Sequence, residues 1–281
     1  MFMFLVVIIA LGWFISIYYN NPSILYIAVG LSIFMNIWSY WFSDKIVLSI
    51  SGAKPATHEE NRELFHIVEN LSITAGLPMP KIYIMNDPAL NAFATGRNKE
   101  HAVIAVTTGL LETLDKSELE GVIAHELSHI GNRDILLSTM VAVLVGLVAI
   151  LSDFFIRSQY LFGRRDDRGG GQIGAILMIV GIVFIILSPI IATLIQLAIS
   201  RKREFLADSS GALLTRYPEG LASALRKIGS YSRPMARASN ATAHLYISNP
   251  FGAKALSGVA KLFMTHPPIQ DRIEALLGRR D

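Results

Sequence analysis

The chain has 281 residues, of which 52% are apolar and only 17% charged, with a net charge of +3 and no cysteine. Ordinary soluble domains lie nearer about 45–50% apolar and about 25% charged, so the mean hydropathy of +0.45 predicts a membrane protein. The composition excludes disulfides and thiolate chemistry, leaving His, Asp and Glu as metal ligands, and the mixed charges carry no nucleic-acid footprint.

The apolar excess is concentrated. No Asp, Glu, Lys or Arg occurs between Met1 and Ser43, nor between Gly169 and Ser200. A spanning helix needs about 20 mostly apolar residues. Residues 2–19 therefore predict a first span, broken at Asn20, Asn21, Pro22 and Ser23, and residues 24–42 predict a second. A basic start and a small-residue cleavage site are lacking, so the pair reads as a retained hairpin rather than a signal peptide. Trp13, Tyr18, Tyr19, Trp38, Tyr40 and Trp41 stand towards its ends, where aromatic belts sit. The hairpin makes a first unit, 1–42.

Residues 43–134 predict a soluble segment. "EENRELFHIVENLSITAGL" has amphipathic helical spacing and stops at Gly76. "KIYIMND" and "HAVIAVTTG" read as short strands, with "PALNAFATGRN" connecting them. Asp115 and Glu118 form a candidate capping box for a helix through "KSELEGVIAHELSHI". A second hairpin unit, 135–200, has spans at 135–156 and 173–199, kinked at Pro189, around the Arg- and Gly-rich loop 157–172. The last unit, 201–281, is soluble and mostly helical, with a polar stretch near 229–250. Lys45, Arg133 and Arg201-Lys202-Arg203 favour a cytoplasmic catalytic side; Arg157, Arg164, Arg165 and Arg168 weaken that bias.

The chemistry is concentrated in His125-Glu126-Leu127-Ser128-His129. On a helix, positions i and i+4 share a face, so both imidazoles reach one ion while Glu126 lies beside them to act as general base. A catalytic zinc site wants a third protein ligand and one open position. "SRKREFLADSSG" offers Glu204, with Asp208 one turn later. An antiparallel hairpin between 135 and 200 brings its two ends together, and an even number of spans keeps them on one side. If the helices continue at 1.5 Å per residue, His129 and Glu204 both lie within roughly 10 Å of the membrane boundary. The expected set is one Zn2+ per chain on His125, His129 and Glu204.

HELSH, EFLAD, four apolar spans and "NAFATG" resemble the HtpX-type membrane zinc metalloproteases, gluzincins related to the prenyl-protein endopeptidases. The resemblance extends over essentially the whole chain. It implies an α+β, mostly helical, multi-pass protein with four transmembrane helices and a gluzincin-type protease domain split between 43–134 and 201–281. It implies Asp208 behind a ligating histidine, and a substrate strand added along Asn91, Ala92 and Phe93. It places a His-Pro segment near the site, so that His266, with Arg272 six residues on, could assist the oxyanion or cap the zinc. It also implies misfolded or surplus membrane proteins and unfolded polypeptides as substrates, in the cell (inner) membrane.

The other histidines read as bystanders: His58 and His66 on a helix surface, His101 in a turn, and His244 in the polar stretch. Arg133 and Asp134 are expected to pair with each other, with neighbours or with lipid headgroups. Competing readings are an intramembrane site-2-type protease, which the charges Glu118, Glu120, Arg133 and Asp134 disfavour, a prenyl-protein peptidase, and a non-enzymatic membrane scaffold. Substrate preference and oligomeric state are not legible.

Overall fold

The computed structural model describes residues 20–143, 201–239, 241–252 and 267–278, with a few isolated positions before them. Most of the first expected span, nearly all of the second hairpin and His266 lie outside these residues. The described chain is mostly helical, with one small sheet, an α+β arrangement.

Helix α1, Ser23–Ser51, contains the expected second span and runs through the expected boundary at residue 42. Tyr26, Ile27, Phe34, Ile37, Trp38 and Trp41 project from it exposed, while Val47 and Leu48 near its end are buried. Gly52, at φ 67°, closes it, the left-handed geometry that glycine adopts without steric cost. No helix among the described residues is long and apolar enough to cross a membrane.

Four strands follow: β1 Lys54–Pro55, β2 Lys81–Met85, β3 Ala92–Gly96 and β4 Ala102–Thr107. Their order is β1-β2-β4-β3. β2 and β4 are parallel, with Ile82 opposite Ile104; β3 returns antiparallel to β4, with Phe93 opposite Ala105. The stretch 92–96, a connection by its residues but in part an edge strand by the family resemblance, is the edge strand. All five of its residues are buried, so it lacks the in–out alternation by which half-exposed strands are recognised.

One face of the sheet carries α2, Arg62–Ala75, α4, Lys116–Gly131, and α6, Pro218–Ser230; α3, Thr108–Thr113, leads from β4 towards α4. Helix α2 turns Leu64, Ile67, Val68 and Leu71 inward, the spacing of a single helical face. They join Ile104, Val122, Ile123, Leu127, Leu221 and Leu225 in the main core. Val47, Met85, Phe93, Val103 and Tyr246 form a second cluster against the other face.

The start of α4 is pinned where its sequence says it should be. Asp115 caps it and Glu118 reciprocates, while Glu118 also accepts from Ser223 and Lys227, each at 2.6 Å. Helix α5, Arg201–Thr215, crosses α4 so closely at Gly211 that an added Cβ would sit 2.9 Å from the backbone nitrogen of His125. That approach delivers Glu204 and Asp208 to the HExxH helix. Helix α7, Ile269–Leu277, closes the far side.

One expectation about helix continuity fails. α4 ends at Gly131, Arg133 takes φ 64°, and helix resumes over residues 134–143. The left-handed residue turns the chain, so His129 and Ile135 do not share a continuous helix.

Gly211→Ala should force α4 and α5 apart and cost about 1–3 kcal/mol, the usual range for overpacking a tight contact. A lowered thermal midpoint is expected, with reduced zinc content. Gly30→Ala, whose methyl meets nothing within 4 Å, should leave both unchanged.

Candidate metal centre and active site

His125, Glu126 and His129 share one side of α4, and α5 supplies Glu204 across from them. Ligand atoms of His125, His129 and Glu204 all lie within 4.8 Å of one another. The two Nε2 atoms are 3.2 Å apart. Nε2 of His125 is 3.8 Å from Oε2 of Glu204, and Nε2 of His129 is 3.6 Å from Oε1. Bonds of about 2.0–2.2 Å to a tetrahedral ion put ligand atoms roughly 3.3–3.5 Å apart, so the donor set fits zinc in kind and in spacing.

Each imidazole is held from behind by a carboxylate. His125 Nδ1 lies 2.9 Å from Asp208 Oδ1, and His129 Nδ1 lies 3.2 Å from Asp134 Oδ2. An imidazole donating from Nδ1 keeps its lone pair on Nε2. Both lone pairs then face the same point, an arrangement that suits a cation between them.

The charges agree. Glu126, Glu204, Asp208 and Asp134 surround the histidines, opposed by Arg272 and Arg203. With all four carboxylates ionised, the cluster carries two uncompensated negative charges, which a divalent ion neutralises. In the metal-free chain, burial opposes charge on His129, yet Asp134, Glu204 and Glu126 together raise its pKa to about 9. Burial, aided by Arg272 and His129, instead lowers that of His125 against the pull of Asp208. Burial, with the Glu204 charge adding, raises Glu126 to about 7, although His129 and the Ala94 N–H oppose it.

Asp208 therefore stands where a partner of a ligating histidine is expected. Arg272 reaches the ligand set, with Nη1 3.7 Å from Glu204 Oε2 and Nη2 3.4 Å from His125 Nδ1. It is fully buried and grips Asp208 with two nitrogens, Nε at 2.8 Å and Nη2 at 2.7 Å, while Nη1 donates to the Ile247 carbonyl at 3.2 Å. Burial opposes the charge on Asp208, but this fork and His125 hold its carboxyl below the usual range. The guanidinium thus supports Asp208 from a place beside the expected ligands.

Along Asn91, Ala92 and Phe93, where a substrate strand is expected, the chain makes bonds of its own. Ile247 N donates to Ala92 O at 2.9 Å, Tyr246 bridges to Phe93, and the Asn91 side chain bonds the backbone of Ser248 through both its atoms. Phe93 is fully buried edge-on against Tyr246. The remaining cleft, about 30 Å³, is bounded by Ala94, Glu126, Ser138, His244 and Tyr246. Since a water needs at least about 10–15 Å³ of such volume, the cleft has room for water.

Three participants were not legible beforehand. Asp134 pairs with His129 and Arg203, not with Arg133. His244, expected in a flexible stretch, is buried and bonds the Ser138 carbonyl at 2.8 Å. Tyr246 closes the edge of β3. His58 and His66 are surface groups, as expected.

The model of peptidase family M48 matches residues 58–280, an interval that includes every one of these groups. The chain belongs to peptidase family M48. It is 48% identical over 278 residues to a "Protease HtpX homolog" of Caldanaerobacter subterraneus subsp. tengcongensis, covering 98% of this chain and 91% of that one. It is 50% identical over 252 residues to a homologue of the same description from Pyrococcus furiosus, covering 89% and 84%. The crystal structure of S. mikatae Ste24p shares the fold, with a TM-score of 0.52 at 18% identity; the match covers 96% of this chain and 62% of that one. As an M48 peptidase the chain is a zinc metalloprotease, and His125, His129 and Glu204 form a cluster that could hold the ion.

Replacing His125 or His129 by Ala, or Glu204 by Gln, should abolish stoichiometric zinc in the purified M48 chain. Asp208→Asn should keep zinc but weaken it about 10–100-fold, as loss of a partner behind a ligand does. Chelation should lower the thermal midpoint of wild type but not that of His129→Ala.

Proposed function

We propose that this chain is a membrane-bound zinc endopeptidase of membrane-protein quality control, cleaving misfolded or surplus membrane proteins and unfolded polypeptides. The observation carrying the reading is the 3.2 Å approach of two imidazole Nε2 atoms beside Glu204, with Glu126 in the same buried cleft. The protease name borne by the relatives supports the same activity.

Bound zinc supplies a Lewis acid that polarises a carbonyl and brings the pKa of a water near 7. The chain's own groups do the rest. His125, His129 and Glu204 are the ligands, and three protein ligands leave one position open. Glu126 takes the proton from the attacking water and returns it to the leaving amine. The Ala94 N–H keeps the Glu126 carboxyl aimed into the cleft. Asp208, gripped by Arg272, fixes the ring of His125. No covalent intermediate is needed.

A membrane setting rests on the uncharged stretches Met1–Ser43 and Gly169–Ser200, which support four spans at 2–19, 24–42, 135–156 and 173–199. Both halves of the site then lie on one side, cytoplasmic by the basic residues Lys45 and Arg201-Lys202-Arg203. An intramembrane site is disfavoured because α4 begins in a capping box and an ion pair with Lys227, polar groups that are costly at mid-bilayer.

Glu126→Gln should retain one zinc per chain and lose at least about 10²-fold in kcat, the lower range for a general base. Wild type and variant would be compared on an unfolded soluble chain and on a membrane-embedded substrate. Wild-type turnover by the variant would remove Glu126 from the mechanism.

A further inference from the structure

Asp134 and Arg203 form a link that the chemistry above does not use. Asp134 is buried, and its two oxygens face different partners. Oδ2 lies 3.2 Å from His129 Nδ1, and Oδ1 accepts from Arg203 Nη1 at 2.9 Å. The positive φ of Arg133 brings Asp134 back beneath His129. Arg203 immediately precedes Glu204 in the chain. One carboxylate therefore connects the second ligand to the residue beside the third.

The two ligating histidines are supported unequally. Behind His125, Asp208 is gripped by two nitrogens of a fully buried guanidinium. Behind His129, Asp134 receives a single contact from an arginine whose side chain is 36% exposed. An ion pair that open to solvent adds little to stability by itself. Its consequence must lie in what Asp134 does to the imidazole. Without an acceptor at Nδ1, the ring is free to turn or to place its proton on Nε2, and the ligand atom is lost.

We propose that Asp134, held by Arg203, is a positioning residue that fixes His129 with its Nε2 towards the metal, and so ties metal affinity to the spacing between the chain leaving the site at 134 and returning at 203. The inference rests on the zinc reading above. It makes the paired Asp134 and Arg203 the adjustable support of the site, and Asp208 with Arg272 the fixed one.

The experiment titrates the full-length, metal-stripped protein with zinc against a competing chelator. Asp134→Ala is expected to weaken binding about 10–100-fold, and Asp134→Glu to recover most of it. Arg203→Ala should give a smaller loss, since Asp134 keeps its contact with His129. At saturating zinc, Asp134→Asn should lower kcat with KM within twofold of wild type. The reversed pair, Asp134→Arg with Arg203→Asp, separates positioning from bracing. It restores the ion pair and is expected to restore thermal stability, yet not zinc affinity, because a guanidinium cannot accept from Nδ1. If wild type binds zinc while Asp134→Ala matches it within twofold, the proposal is overturned. Recovery of full affinity by the reversed pair overturns it equally, by reducing the link to a brace. A wild-type protein that binds no zinc would instead sink the parent reading, and this inference with it.

Discussion

Negative charge concentrated in a nearly dry cleft is the constraint on which this molecule depends. Glu126, Glu204 and Asp208 are each 5% exposed or less, and Asp134 only 7%, so water cannot screen them. Burying ionised carboxylates without compensation costs several kcal/mol each. Arg272 and Arg203 neutralise part of the charge, and the two imidazoles direct lone pairs towards the rest. A divalent cation completes the balance, so in this chain metal binding and the folding of the site are coupled.

Much of the fold can be understood as the means of holding that balance. The HExxH helix is fixed at its start by the capping box and the Glu118–Lys227 pair, and along its length by the main core. Gly211 lets α5 approach closely enough for Glu204 and Asp208 to reach it. The sheet contributes through β3, whose Ala94 N–H steadies the Glu126 carboxyl while the Tyr246–Ser248 segment covers its edge. The resulting cleft has room for water. At Ala92 and Phe93 that edge is bonded to Ile247 and Tyr246.

The ligands were legible because their geometry is local. The i, i+4 spacing of His125 and His129 and the one-turn spacing of Glu204 and Asp208 survive any tertiary detail, and Asp115 with Glu118 announces a helix start in four residues. What escaped depends on long separations or on broken regularity. Strand β3 is buried on both faces and shows no alternation. Arg272 takes its meaning from Asp208, 64 residues away, which no pattern near residue 272 reveals. Asp134 was hidden by the assumption of a continuous helix, which the left-handed Arg133 interrupts. The stretch around His244 and Tyr246 has neither helical nor strand period, because its order comes from bonds to Asn91, Ala92 and Ser138.

The most direct measurement is zinc-edge X-ray absorption on the purified full-length protein. The account predicts one zinc per chain with two imidazoles and carboxylate or water oxygen in its inner shell. A protein without zinc, or a metal bound by one imidazole or none, would contradict it.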